Sequence, residues 1–168
     1  MSINNRKLDL GCSFHKRDGF VGIDILKSDG IDVQTDACFL PFKENSFDEI
    51  YSSYALEHIQ DNLKVLEEIW RVCKDGAIVR LILPHFSNPA FSDDLTHKHR
   101  YSTRTFEHYD QELHEITGHP NYLPGINLKV KQARLVWWPP QVIDRKSHWK
   151  KSILKVLNNL INTLANRY

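Results

Sequence analysis

An α/β fold built on an open parallel sheet is predicted by three features of this 168-residue chain. The first is residues 7–25, KLDLGCSFHKRDGFVGIDI, where an apolar strand, a glycine turn and a second strand ending in an acid stand in order. The second is a periodic helix over 62–73 between two apolar runs, the strand, helix, strand order of a parallel crossover. The third is composition: 41% apolar and 26% charged residues are ordinary globular usage, enough to bury one core.

Strands are expected at 7–10, 20–24, 31–35, 47–52 and 77–83. In the first, Leu8 and Leu10 share a face, and Gly11 then permits a tight turn and a close backbone approach that a Cβ would block. Residues 11–19 are fewer than the dozen that a parallel crossover through a helix takes, so the first crossover helix is expected to be absent. The next link, 25–30, is shorter still. One face of the sheet therefore loses helical cover, and either the C-terminal segment or a second subunit, as in a homodimer, is expected to supply a lid. On the helix, Leu63, Leu66, Ile69, Trp70 and Cys73 form an apolar stripe, and Gly76 stands where a helix exit needs left-handed geometry.

The later elements are less regular. Pro84 and Asn88 mark a loop, residues 102–107 read as a short capped helix with Phe106 and Leu113 as core, and 127–138 alternates like a further strand. Trp149, Ile153, Val156, Leu157, Leu160, Ile161 and Leu164 give 146–168 an amphipathic helical face, with Lys146, Lys150, Lys151 and Lys155 at its start. Such a helix can lie on a membrane surface as a peripheral contact, cover the bare sheet face, or pair with another subunit. The expected organisation is one domain, 1–145, with a substrate loop at 85–125, closed by the helix 146–168; the end at Tyr168 leaves room for a longer parent protein.

Several function classes are disfavoured. A net charge of +1 gives no reason to expect a nucleic-acid partner. Cys12, Cys38 and Cys73 form no C-x-x-C, so neither a disulfide framework nor a thiolate zinc site is indicated, and a reduced, cytoplasmic setting is expected. No leader-like or membrane-spanning apolar run is found.

The opening stretch reads as a nucleoside site. Asp24 stands at the carboxyl end of a strand, where open α/β sheets bind ligands, and can accept from both ribose hydroxyls; its plainer reading is a loop cap. The phosphate cradle is missing, because Ser13 takes the place of the second glycine of G-x-G-x-x-G, with Phe14 and His15 next to it. A nucleoside without phosphates fits better.

Five further segments come in order: Asp36-Ala37 with Leu40-Pro41-Phe42, Asn45-Ser46-Phe47-Asp48, Leu56-Glu57-His58, Glu68-Ile69-Trp70-Arg71-Val72 and Lys74-Asp75-Gly76. With the opening stretch they resemble the class I S-adenosylmethionine-dependent methyltransferases, in the branch with D-A-x-x-L-P-F and L-E-H segments. The resemblance implies a Rossmann-like sheet, here pruned of its early crossover helices, and S-adenosyl-L-methionine as cofactor. It implies contacts from Gly11, Cys12, Ser13 and Asp24, an adenine amino contact at Asp36, and a ring contact from the amide of Ala37. Ile25 and Leu40 either sandwich the adenine or are plain core, while Ser52, Ser53 and Tyr54 fall where the family places the methionine end. Asp36 is otherwise a turn former, and Glu57 and His58 otherwise start the helix.

Acceptor chemistry is sought in Asp93-Asp94-Leu95-Thr96-His97-Lys98-His99-Arg100-Tyr101. An imidazole titrates near neutrality and can take a proton from an acceptor hydroxyl. His97 is the first choice, because D-x-T-H before an aromatic resembles a segment of related methyltransferases; His99 and His58 are the alternates. His97 and His99 with Asp93 or Asp94 could instead ligate a divalent ion, but i, i+2 histidines converge only on an extended segment, and no metal is assigned. The expected function is methyl transfer to an oxygen or nitrogen nucleophile of a small-molecule or glycan-type substrate. The alternatives are an inactive nucleoside-binding scaffold, favoured by Ser13 and the lost helices, and a membrane-associated module.

Overall fold

The computed structural model describes residues 6–88, 91–118, 123 and 125–136. The chain divides into two units, 1–133 and 134–168, and the sheet with its surrounding elements belongs to the first. The expected helix 146–168 and Trp137-Trp138 lie outside the described residues.

Five parallel strands form one sheet in the order β3-β2-β1-β4-β5: β1 Lys7–Leu10, β2 Val21–Asp24, β3 Val33–Gln34, β4 Phe47–Ser53 and β5 Cys73–Ile82. Leu8 and Leu10 lie opposite Val21 and Ile23 on one side and Ile50 and Ser52 on the other. This register sets the strand apolar residues in one layer, against which α1, Asn62–Val72, packs. Asp61 caps α1 by accepting from the Lys64 amide at 3.0 Å, so Glu57 and His58 do not start it; they belong to a separate single-turn 3-10 helix, Leu56–His58. The buried stripe of α1 is Val65, Leu66, Ile69 and Val72, so Leu66 and Ile69, with Cys73 just beyond the helix, are buried as expected, whereas Leu63 and Trp70 face outward.

A clamp ties α1 to the L-P-F segment. Glu68, nearly buried, accepts from the Leu40 amide at 2.7 Å and from two nitrogens of Arg71, while Arg71 also donates to the carbonyls of Leu40 and Phe42. The Arg71 guanidinium holds the Glu68 carboxyl below its ordinary value. Leu40 is thus part of the core cluster.

No helix lies between β1 and β2 or between β2 and β3, as the short links require, and none lies in residues 35–46 between β3 and β4. Among the described residues, residues 11–20 lie over the second face near β1 and β2, while the C-terminal helix expected as its lid falls outside the described residues. The Lys16 stem lies over Gly22, where a Cβ would come within 2.5 Å of it, and its ammonium pairs with Asp32 at 2.9 Å. Arg17 donates its amide to buried Asp9 at 2.8 Å and sets its guanidinium 4.0 Å from the Tyr51 ring, against which Phe20 packs edge-on. Over β4 and β5 the same face carries Glu49 bridged to Lys7 and Arg80, so charge rather than apolar surface faces outward there, apart from Ile78 and Ile82.

Gly76 is left-handed, φ +74°, but inside β5 at a register break rather than at the helix exit, because Cys73 passes from α1 directly into extended backbone. A 3-10 turn at Thr105–Tyr109 and α2, Gln111–Thr117, build the later region, with Phe106 packed on the core. Residues 127–136 form no strand, so that expectation fails. The alternation of Leu128-Lys129-Val130-Lys131 breaks at Gln132, and the Leu128 amide bonds the Tyr109 carbonyl instead of a ladder. No described helix is long and apolar enough to cross a membrane.

Candidate functional site

The carboxyl ends of the strands bring the expected cofactor residues into one contiguous rim. Gly11, φ +70°, and Cys12 both donate their amides to the Ile23 carbonyl, bending the chain off β1 across the end of β2. Ser13 comes next in left-handed geometry, φ 47°, and its amide donates to Asp24 at 2.9 Å. The other Asp24 oxygen accepts from the Leu26 amide at 2.9 Å, and the Asp24 carbonyl accepts from the Thr35 amide, which joins Asp36 and Ala37 to the rim. Asp36 accepts from the Cys38 amide at 2.9 Å, the turn-forming role its plain reading gives.

The rim continues to β4 through contact. A Cβ on Gly11 would lie 2.3 Å from the Cβ of Ala55, so only glycine allows the β1 turn to meet the segment after β4. Tyr54 there is left-handed, φ 52°, a conformation a bulky residue adopts only when its surroundings hold it; its amide bonds the Ile82 carbonyl. Ser53 is half-buried beside it. Ser52 is turned inward: its side chain is wholly buried and its hydroxyl donates to the Leu10 carbonyl at 2.9 Å, so it ties β4 to β1 instead of facing a ligand. Cys12 is also buried, and desolvation with Asp9 and Asp24 nearby pushes its thiol up to about 11, leaving it protonated and inert at neutral pH. Phe14, Ile25, Leu26, Phe39 and Tyr54 expose apolar surface around this rim.

Two of the three candidate histidines meet, and the third does not. The rings of His58 and His97 stand 4.8 Å apart between centroids. His97 Nδ1 lies 3.0 Å from the Phe91 carbonyl, which can only accept, so Nδ1 carries the proton and Nε2 keeps its lone pair. The Thr96 hydroxyl gives its proton to Asp94 at 2.6 Å and therefore accepts from His58 Nδ1 at 2.8 Å, which leaves His58 Nε2 unspent as well. The Thr96 hydroxyl and amide hold the Asp94 carboxyl below its ordinary value. His99 instead donates from Nε2 to the Gln60 carbonyl at 3.0 Å and borders a cleft of about 500 Å³ with Leu56, Tyr101, Phe106 and Tyr109. The His97, His99 and Asp93 or Asp94 arrangement weighed for a metal is thus not assembled.

Glu57 is the residue that sequence reasoning missed. It is completely buried, neither carboxylate oxygen has a hydrogen-bond partner among the described residues, and burial pushes its carboxyl above the ordinary range. The available signal was an acid set between Leu56 and Ile59, two residues that pack in the core.

Comparison with known proteins places this geometry. Residues 15–81 match a family model described as a methyltransferase domain. The demethylmenaquinone methyltransferase of Renibacterium salmoninarum is 38% identical over 114 residues, 68% of this chain and 43% of that protein. The ubiquinone/menaquinone biosynthesis C-methyltransferase UbiE of Haemophilus ducreyi is 38% identical over 76 residues, 42% of this chain and 29% of that protein. Thus the chain spans less than half the length of these curated relatives. Among solved structures, a SAM-dependent methyltransferase from Archaeoglobus fulgidus shares the fold with a TM-score of 0.52 at 20% identity, covering 95% of this chain and 79% of that one.

Proposed function

From the premise that the chain belongs to the class I S-adenosylmethionine-dependent methyltransferases, we propose that it moves a methyl group from S-adenosylmethionine to a small, hydroxylated, quinone-type ring. The observation that carries this reading is the contact of Gly11 with Ala55, which sets the nucleoside end of the rim one turn from Glu57, His58 and the adjoining His97. S-adenosylmethionine, when bound, supplies an activated methyl on a sulfonium.

The residues fit that cofactor. The Gly11 approach to Ala55 joins the β1 turn to the segment after β4, Asp24 keeps lone pairs for ribose hydroxyls beyond its two backbone bonds, and Ser13 suits a ligand without phosphates. Ile25, Leu26 and Phe39 offer apolar surface for a purine, with Asp36 and the Ala37 amide beside them for its polar edge. On the acceptor side, His97 or His58 takes a hydroxyl proton at Nε2, which makes either the ring oxygen or the neighbouring carbon nucleophilic. Orientation supplies the larger share of the rate.

The choice of a ring over the glycan, oxygen or nitrogen acceptors expected from sequence rests on the names of the curated relatives and on the aromatic cleft that begins at Leu56. Labelled S-adenosylmethionine offered with hydroquinones, sugars and amines, with mass spectrometry of the products, tests it. Label on a ring carbon or ring oxygen is the expected result. Label on a sugar or amine overturns the acceptor class, and tight cofactor binding without transfer to any acceptor leaves the inactive scaffold.

A further inference from the structure

We infer that Glu57, His58 and His97 form a site for one divalent first-row transition metal ion, bound by a carboxylate oxygen and one imidazole nitrogen from each histidine. One potential ligand atom from each of the three lies within 4.8 Å of the others. Ligand atoms around a four-coordinate zinc at about 2.1 Å stand about 3.4 Å apart, so side-chain rotations of roughly an ångström close the set.

Three independent features point to an ion. The Glu57 carboxylate is wholly buried with both oxygens unpartnered among the described residues, and a buried acceptor that bonds nothing costs free energy that a cation would offset. Each histidine already has the outer partner that metal-binding imidazoles use: Phe91 carbonyl for His97, and the Thr96–Asp94 relay for His58. Both partners engage Nδ1 and leave Nε2 to face an ion, and His97 Nε2 also lies 3.9 Å from an Asp94 oxygen. Two imidazoles and one carboxylate are also the donor set of catalytic zinc and of open non-haem iron sites, whereas magnesium and calcium prefer oxygen alone.

The three ligands leave at least one coordination position, and the site adjoins the segment that meets Gly11. Metal binding itself does not depend on the methyl-transfer reading. Its consequence for catalysis does: the general-base role of His97 or His58 belongs to the metal-free chain, and in a metal-loaded chain the ion would instead acidify a bound acceptor hydroxyl, whose proton would pass to solvent.

The test is titration of the full chain with Co²⁺, read by visible absorption, with Zn²⁺ displacement and metal content after dialysis. One Co²⁺ per chain, displaced by Zn²⁺, is expected, with affinity lowered about 100-fold in Glu57→Gln and in His97→Gln and unchanged in His99→Gln. Circular dichroism and calorimetric S-adenosylmethionine binding establish that the variants are folded. Absence of a Co²⁺ spectrum at millimolar metal, or equal affinity in all three variants, overturns the site. A chain that binds cofactor but no metal refutes only the metal site; one that binds metal but no cofactor refutes only the methyltransferase reading.

Discussion

Replacing Gly11 by alanine separates two costs that the structure assigns to one residue. At φ +70° the added Cβ carries the left-handed penalty, about 1–2 kcal/mol for a non-glycine residue. It also lands 2.3 Å from the Ala55 Cβ, more than an ångström inside ordinary carbon contact, and overpacking of this kind costs about 1–3 kcal/mol. Gly19 isolates the first cost, since it has φ +79° and nothing within 4 Å of its ideal Cβ. Urea unfolding of both variants will therefore show Gly19→Ala destabilised by about 1–2 kcal/mol and Gly11→Ala by about 2–5 kcal/mol. Because the displaced segment leads into Leu56–His58, Gly11→Ala will also weaken S-adenosylmethionine binding while Gly19→Ala leaves it intact. Equal midpoint shifts, or unchanged cofactor affinity in a folded Gly11→Ala, would refute the close approach as the join between the two halves of the site.

Asp24→Asn keeps an acceptor for one backbone amide but loses the charge facing ribose, so calorimetry will read cofactor affinity weaker by about 1.5–3 kcal/mol with little change in stability. His97→Ala will lower turnover by about 10² to 10⁴ fold with cofactor binding near wild type, whereas equal loss of both would make His97 structural. Glu68→Gln will cost about 1–3 kcal/mol in urea unfolding, since Arg71 and the Leu40 amide lose a charged acceptor at a partly exposed pair. With its folded pKa depressed, Glu68 stabilises the fold above its unfolded pKa of about 4.3, and that contribution is lost as pH falls through the folded value. The acid limb of the stability profile will accordingly be shallower in Glu68→Gln, and an identical limb would refute the clamp.

The sheet was legible because its signals are local. Leu8, Leu10 and Ile50 alternate with polar neighbours, and links too short for helices can be counted. The phase of α1 was not, since Leu63 and Trp70 suit the same periodicity and only the Glu68–Arg71 clamp explains why an acid lies inward while they do not. Asp24, Ser13 and Asp36 were legible as a cluster, but their backbone bonds were not: an aspartate that will cap a turn looks like one that will meet a ligand. The meeting of His58 with His97 spans 39 positions and depends on a loop with no periodicity, and the burial of Glu57 depends on that loop closing over it through the Lys98 amide and the Glu57 carbonyl. Pairing in space between irregular segments leaves no trace in spacing, so His99 looked as good a candidate as His58.

The lost crossover helices have a consequence for how the site responds to change. Where a helix covers a sheet, its body can be altered apart from the turn that opens it; here residues 11–20 serve as both cover and cradle. Lys16 is anchored to Asp32, and that same carboxylate holds the Gly22 amide at 2.7 Å, so the ion pair fixes the loop and β2 together. Arg17 is held at Asp9 and over Tyr51, on the strand that leads to Tyr54 and Ala55. Four residues upstream the same loop presents Ser13 to Asp24. A perturbation at Arg17 or Lys16, on the face away from α1, is thereby carried along a short segment to Ser13 and to the turn that meets Ala55, so the packing of this loop and the geometry of the rim are tied together.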